Sequence, residues 1–173
     1  WQDVLENGPG SRYAPIFDID WRPLKPELEN KVLLPILGDN YGAVLERQEI
    51  RLEYSAGIFQ ARYFSHTLPI APRTYDQVLA TGATTRLDEI GADSEAGIGF
   101  LSIRSAIRRL PGWDDHSPDL RAECDREKEV IKRRLAVLTA AAPPVLDPRL
   151  TPIARTAPGG GVVSWNCEGG VPL

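Results

Sequence analysis

Methionine is missing altogether, and histidine and cysteine occur only twice each in 173 residues. A chain that opens on Trp1 and holds no Met is expected to be an internal segment of a longer polypeptide. Cys124 falls in a helical pattern and Cys167 in a glycine-rich stretch. Two such cysteines make no disulfide framework, so free thiols and a reducing, cytoplasmic compartment are expected. His66 and His116 lie too far apart in sequence to read as a ligand pair, so no metal site is expected. No apolar run approaches the roughly 20 residues a membrane helix needs. A basic start followed by an apolar core, the mark of a signal peptide, is also missing. The net charge of −4 and a pI near 5.3 give no electrostatic reason to expect nucleic acid. Neither a nucleophile elbow nor a phosphate-binding glycine loop is present. Gly159-Gly160-Gly161 lacks the lysine and the strand-to-helix setting, and no cofactor is expected.

What the chain does contain is the make-up of a soluble globular protein, with 42% hydrophobic and 25% charged residues. Residues 1 to 31 are polar and rich in turn formers, with a loop at Asn7-Gly8-Pro9-Gly10-Ser11. Ile16 to Trp21 alternates strictly, which predicts a strand with Asp18 and Asp20 on one face. Val32-Leu33-Leu34-Pro35-Ile36-Leu37 is apolar, but Pro35 lacks a ladder donor, so an edge or loop segment is expected. Ile50, Leu52 and Tyr54, then Phe59, Ala61 and Tyr63, alternate with polar residues around Ser55-Ala56-Gly57, which predicts a β-hairpin. Thr74 and Gln77 fit a capping box for a short helix closed by Gly82.

From about residue 95 the period becomes 3.6. Ile103, Ala106, Ile107 and Leu110 share one face, and Pro111-Gly112 stops the helix. Ser117-Pro118 opens a second helix with Leu120, Cys124, Ile131, Leu135 and Leu138 inward. The charged run Asp125 to Glu129 is expected to face water, with Glu129 pairing Arg133 one turn on. The expected fold class is α+β: a small antiparallel β subdomain followed by an antiparallel helical hairpin. Its parts are a β-rich piece over residues 1–82, helices over 83–144 and an irregular tail over 145–173.

Catalytic signal is sparse. Asp18 and Asp20 could bind hydroxyl groups, but two carboxylates two residues apart on one segment cannot flank a scissile bond. The aromatic rings of Trp21, Tyr41, Tyr54, Tyr63 and Phe64 could stack on sugar faces. His66 follows the hairpin.

Several segments together resemble the maltooligosyltrehalose synthases. They are Trp1 to Gly8 with Ser11 to Ala14; Phe17-Asp18-Ile19-Asp20-Trp21 with Lys25-Pro26-Glu27-Leu28; and Lys31 to Gly38 with Tyr41-Gly42 and Val44-Leu45-Glu46. Further on are Arg62-Tyr63-Phe64 with His66 and Leu68-Pro69, and Arg126 to Leu135. The resemblance runs over roughly residues 1 to 142. That family is α-amylase-like, with a (β/α)8 barrel, and this region resembles the insertion after its third strand. The resemblance implies one wall of a sugar cleft, with malto-oligosaccharide and the remainder of the barrel as partners. The implied reaction is retaining: an α-1,4 bond at the reducing end becomes α,α-1,1, using two carboxyl groups about 5 Å apart. The segments that carry the family's catalytic carboxylates have no counterpart here, so no catalytic residue is carried over. Asp18, Asp20, Trp21 and His66 are the candidate substrate-binding residues. The alternative is a non-enzymatic glucan-binding or interaction module derived from the same family.

Overall fold

A computed structural model describes residues 1–111 and 118–142. His116, Ser117, Cys167 and the expected tail lie outside the described residues. The fold is mixed α+β: a three-stranded antiparallel sheet and several helices. The chain divides into two compact units. The described part of the first comprises residues 1–52 and 60–71, and that of the second residues 53–59, 72–111 and 118–142.

In the first unit, α1 (Gln2–Asn7) buries Val4 and Leu5. The loop after it is tied back by Asp3, whose carboxylate accepts from Asn7 Nδ2 at 3.1 Å and from the Ser11 hydroxyl. Residues 16–21 are not a strand. Their backbone is satisfied locally, with Phe17 N donating to Ala14 O and Ile19 N to Phe17 O, and a short 3-10 turn runs through Ile16. Pro15 and Pro23, which cannot donate, bracket the segment, and alternation without a neighbouring strand cannot make a ladder. Val32 to Leu37 is likewise unpaired, as Pro35 predicts. A short helix α2 (Tyr41–Glu46) follows, capped by Asn40, whose side chain accepts from Ala43 N at 2.9 Å.

The sheet has the order β1-β2-β3, formed by β1 (Ile50–Ser55), β2 (Ile58–Tyr63) and β3 (His66–Pro69). Ile50 and Leu52, and Phe59, Ala61 and Tyr63, are buried in alternation, as the hairpin reading expects. Ala56 and Gly57 both have positive φ, 47° and 85°, which is the two-residue turn that matches strand twist. β3 was not evident from the sequence. It is a four-residue edge strand in register Tyr63↔His66 to Gln60↔Pro69, and the edge tolerates Pro69.

In the second unit, α3 (Tyr75–Ala80) continues a 3-10 turn over Pro72–Thr74. Thr74 is therefore itself helical and buried, and the expected capping-box hydrogen bond is not made. α4 (Ala83–Ile90) opens the stretch expected to be helical, ahead of the 3.6-residue period, and Arg86 on it donates to Leu79 O and Thr81 O beside the end of α3. Ser94 caps α5 (Glu95–Arg108), accepting from Gly97 N at 3.0 Å. α5 packs antiparallel on α6 (Pro118–Ala141): Gly99 faces Leu138 and the Ser102 hydroxyl accepts from Arg134. Phe100, Ile103 and Ile107 meet Cys124, Ile131 and Leu135 as buried apolar faces.

Two expectations for α6 change. Lys128 is buried rather than solvated, because 124, 128, 131 and 135 share one helical face; its stem packs while its ammonium pairs with Asp125 at 3.3 Å. Glu129 pairs with Lys132, one residue short of the expected Arg133. The β1–β2 turn meets this helix closely: a Cβ on Gly57 would fall 1.9 Å from Lys132 O.

Leu135 is fully buried, so Leu135→Ala should cost about 2–5 kcal/mol. Arg134→Ala, which removes one exposed hydrogen bond to Ser102, should cost under about 1 kcal/mol. Urea denaturation of both variants measures this, and equal effects would contradict the face assignment.

Candidate functional site

The first unit contains a cavity of about 450 Å³. Its walls come from three places. The irregular segment from Asp18 to Leu37 supplies most of them, with Ile19, Leu28, Val32, Leu34, Ile36 and Leu37. Tyr41 opens α2, and Ile50 and Leu68 back the cavity from β1 and β3.

Local hydrogen bonds give this irregular segment its shape. Asp20 Oδ1 accepts from Arg22 N at 3.0 Å and starts a turn. Asn30 N donates to Trp21 O at 2.9 Å and closes the loop between them. Asn30 itself takes φ 57°, a left-handed conformation that asparagine tolerates. Lys31 sends its ammonium back to Glu27 O. At the far end, Gly38 N donates to the Tyr63 hydroxyl at 2.9 Å and so ties the apolar run to β2. With no ladder of its own, Val32 to Leu37 depends on such ties and on side-chain packing.

Of the four residues singled out from sequence, the structure brings two to the cavity. Asp18 and Asp20 are both exposed and both line it. They share it without a strand, so their common placement comes from the turn at Asp20 rather than from period-two alternation. Trp21 is half-buried and serves through its carbonyl in closing the loop. His66 is exposed at the start of β3, opposite Tyr63. Neither Trp21 nor His66 lines the cavity.

The aromatic candidates separate in the same way. Tyr54 bonds Thr139 and packs on Phe59, and Tyr63 holds Gly38; both are structural. Phe64 is 68% exposed at the β2–β3 turn with φ 48°. Tyr41 is the one of this group that lines the cavity. Its hydroxyl is shut off from solvent with no hydrogen-bond partner in the protein, and burial pushes its pKa up to about 12. The sequence did carry a signal for the cavity: an apolar run that Pro35 bars from a sheet must cover its side chains some other way.

Among the described residues, no group of three or more His, Cys, Asp or Glu side chains could hold a metal ion, and no helix is long and apolar enough to cross a membrane. No protein-family model, curated protein or solved structure matches this chain.

The Tyr41 phenol has a pH signature. Its folded pKa lies above the ordinary value of 10, so between the two values the folded state keeps a proton that the unfolded state releases. Stability from this group is therefore intact below pH 10 and is lost as pH rises towards about 12. Urea midpoints of the wild type should fall more steeply than those of Tyr41→Phe across that window. Parallel profiles would mean that the phenol is not held protonated by burial.

Proposed function

We propose that this chain is a glucan-facing subdomain of an enzyme of the maltooligosyltrehalose synthase kind. In that setting it is an insertion after the third strand of a (β/α)8 barrel, forming one wall of the sugar cleft. The observation that supports the reading is the make-up of the cavity. Phe17 to Trp21, Lys25 to Leu28, Lys31 to Gly38 and Tyr41 are among the segments that carry the resemblance, and residues from these four line it.

In this reading Asp18 and Asp20 accept hydrogen bonds from sugar hydroxyls. Charged acceptors make the stronger hydrogen bonds, and both carboxylates are exposed at the cavity. They are not the catalytic pair. Retaining transfer needs one carboxylate to attack the anomeric carbon while a carboxylic acid on the other side protonates the leaving oxygen. Two side chains from one short turn cannot take both positions. The barrel supplies that pair, and the subdomain helps hold the released glucose and exclude water while the glucose turns and attacks through its own anomeric hydroxyl.

Calorimetric titration of the chain with maltopentaose tests the proposal. Saturable binding is expected, weakened roughly tenfold by Asp18→Asn or Asp20→Asn, as befits loss of a charge-assisted hydrogen bond. Thermal unfolding of both variants should match the wild type, since both residues are exposed. No maltotriosyl trehalose should form. Absence of maltopentaose binding would defeat the reading, and turnover by this chain would defeat its assignment as a non-catalytic wall.

A further inference from the structure

The cavity is short of polar side-chain atoms that a ligand could reach. Apart from Asp18, Asp20, Lys31 and Tyr41, the side chains that line it are aliphatic. The Tyr41 hydroxyl is shut off from solvent, and the Lys31 ammonium already donates to Glu27 O. The cavity is nevertheless open to entry. Leu33 and Leu28 both line it and are 83% and 37% exposed, whereas Ile50 and Leu68, which back it, are buried. All four of these side chains are aliphatic.

The glucan reading uses Asp18 and Asp20 and leaves this aliphatic surface without a ligand. A sugar pressed against it would withdraw hydroxyls from water and find no partner for them there. An alkyl chain has no such cost, and each methylene removed from water binds in proportion to the area buried. The volume of about 450 Å³ falls in the range of small-molecule sites, which are mostly apolar. If a methylene is given the roughly 30 Å³ that a water takes up in the liquid, there is room for on the order of ten carbons. Charge narrows the class further. Two carboxylates against one ammonium leave the lining negative, which disfavours an anionic head such as a fatty carboxylate.

We propose that this cavity binds an unbranched alkyl chain with an uncharged polar end. The chain runs in past Leu28 and Leu33 towards Ile50 and Leu68, and the polar end stays in water. The inference does not rest on the glucan reading.

The test is calorimetric titration of the wild-type chain with n-butanol, n-hexanol, n-octanol and octanoate at neutral pH. Affinity should rise about 3- to 4-fold for each added methylene, the increment that full burial of a CH₂ gives. Octanoate should bind more weakly than n-octanol, and the gap should close in a chain carrying both Asp18→Asn and Asp20→Asn, two exposed sites. Ile36→Trp puts a large ring into the cavity and should remove the dependence on chain length, with thermal unfolding as the check that the variant folds. The alkanol series needs no variant and decides by itself whether the aliphatic surface takes a chain.

Affinities that do not rise with chain length would overturn the inference, as would a rise that persists in folded Ile36→Trp. Octanoate binding as tightly as n-octanol would overturn the uncharged end. None of these results bears on the glucan reading, which falls if maltopentaose does not bind.

Discussion

Pro35 sets the condition on which the site depends. It sits in the middle of six apolar residues and removes the one donor that an interior strand position would need. Val32 to Leu37 therefore stays outside the sheet, with its side chains half-buried or, as at Leu33, exposed. They wall a cavity that Ile50 and Leu68 back from the sheet. The bond from Gly38 N to the Tyr63 hydroxyl fixes the end of the run to β2, and the Asn40 cap starts α2 immediately beyond it. That cap puts Tyr41 at the first helical position.

The legible parts of the fold were those whose side chains repeat. The hairpin reads from period two, with Gly57 marking a turn that only a small residue fits against Lys132 O. α5 and α6 read from period 3.6: of the expected inward residues Ile103, Ile107, Cys124, Ile131 and Leu135 are buried, while Ala106, Leu110, Leu120 and Leu138 are half-buried. Three of the short elements did not read, because one helical turn or a four-residue strand is too short to show a period. α1, α2 and β3 are of this kind. The Ile16 to Trp21 segment failed for the opposite reason. It shows a clean alternation, but a strand also needs a neighbour, and local turns had already used its backbone groups.

The same distinction explains what was legible of the site. Asp18 and Asp20 were found because two carboxylates close in sequence are noticeable however the chain folds. Their common placement survived the loss of the strand, since a turn at Asp20 serves as well. Tyr41 was visible only as one aromatic among several. What sets it apart is a buried hydroxyl with no protein partner, and burial of a single atom has no pattern along the chain. Trp21 and His66 carried the resemblance but do not line the cavity: one closes a loop and the other starts an edge strand.

The central claim is that ligand enters the cavity bounded by Ile19, Ile36 and Ile50 and nowhere else in the described structure. Isoleucine methyls report on it directly, because Ile103, Ile107 and Ile131 lie in the core of the second unit and serve as internal controls. Methyl NMR spectra of isoleucine-labelled chain, recorded during titration with maltopentaose, should show saturable shifts at Ile19, Ile36 and Ile50. The resonances of Ile103, Ile107 and Ile131 should stay in place. Shifts at the latter three with none at the former, or no saturable shift at any of the six, would contradict the account.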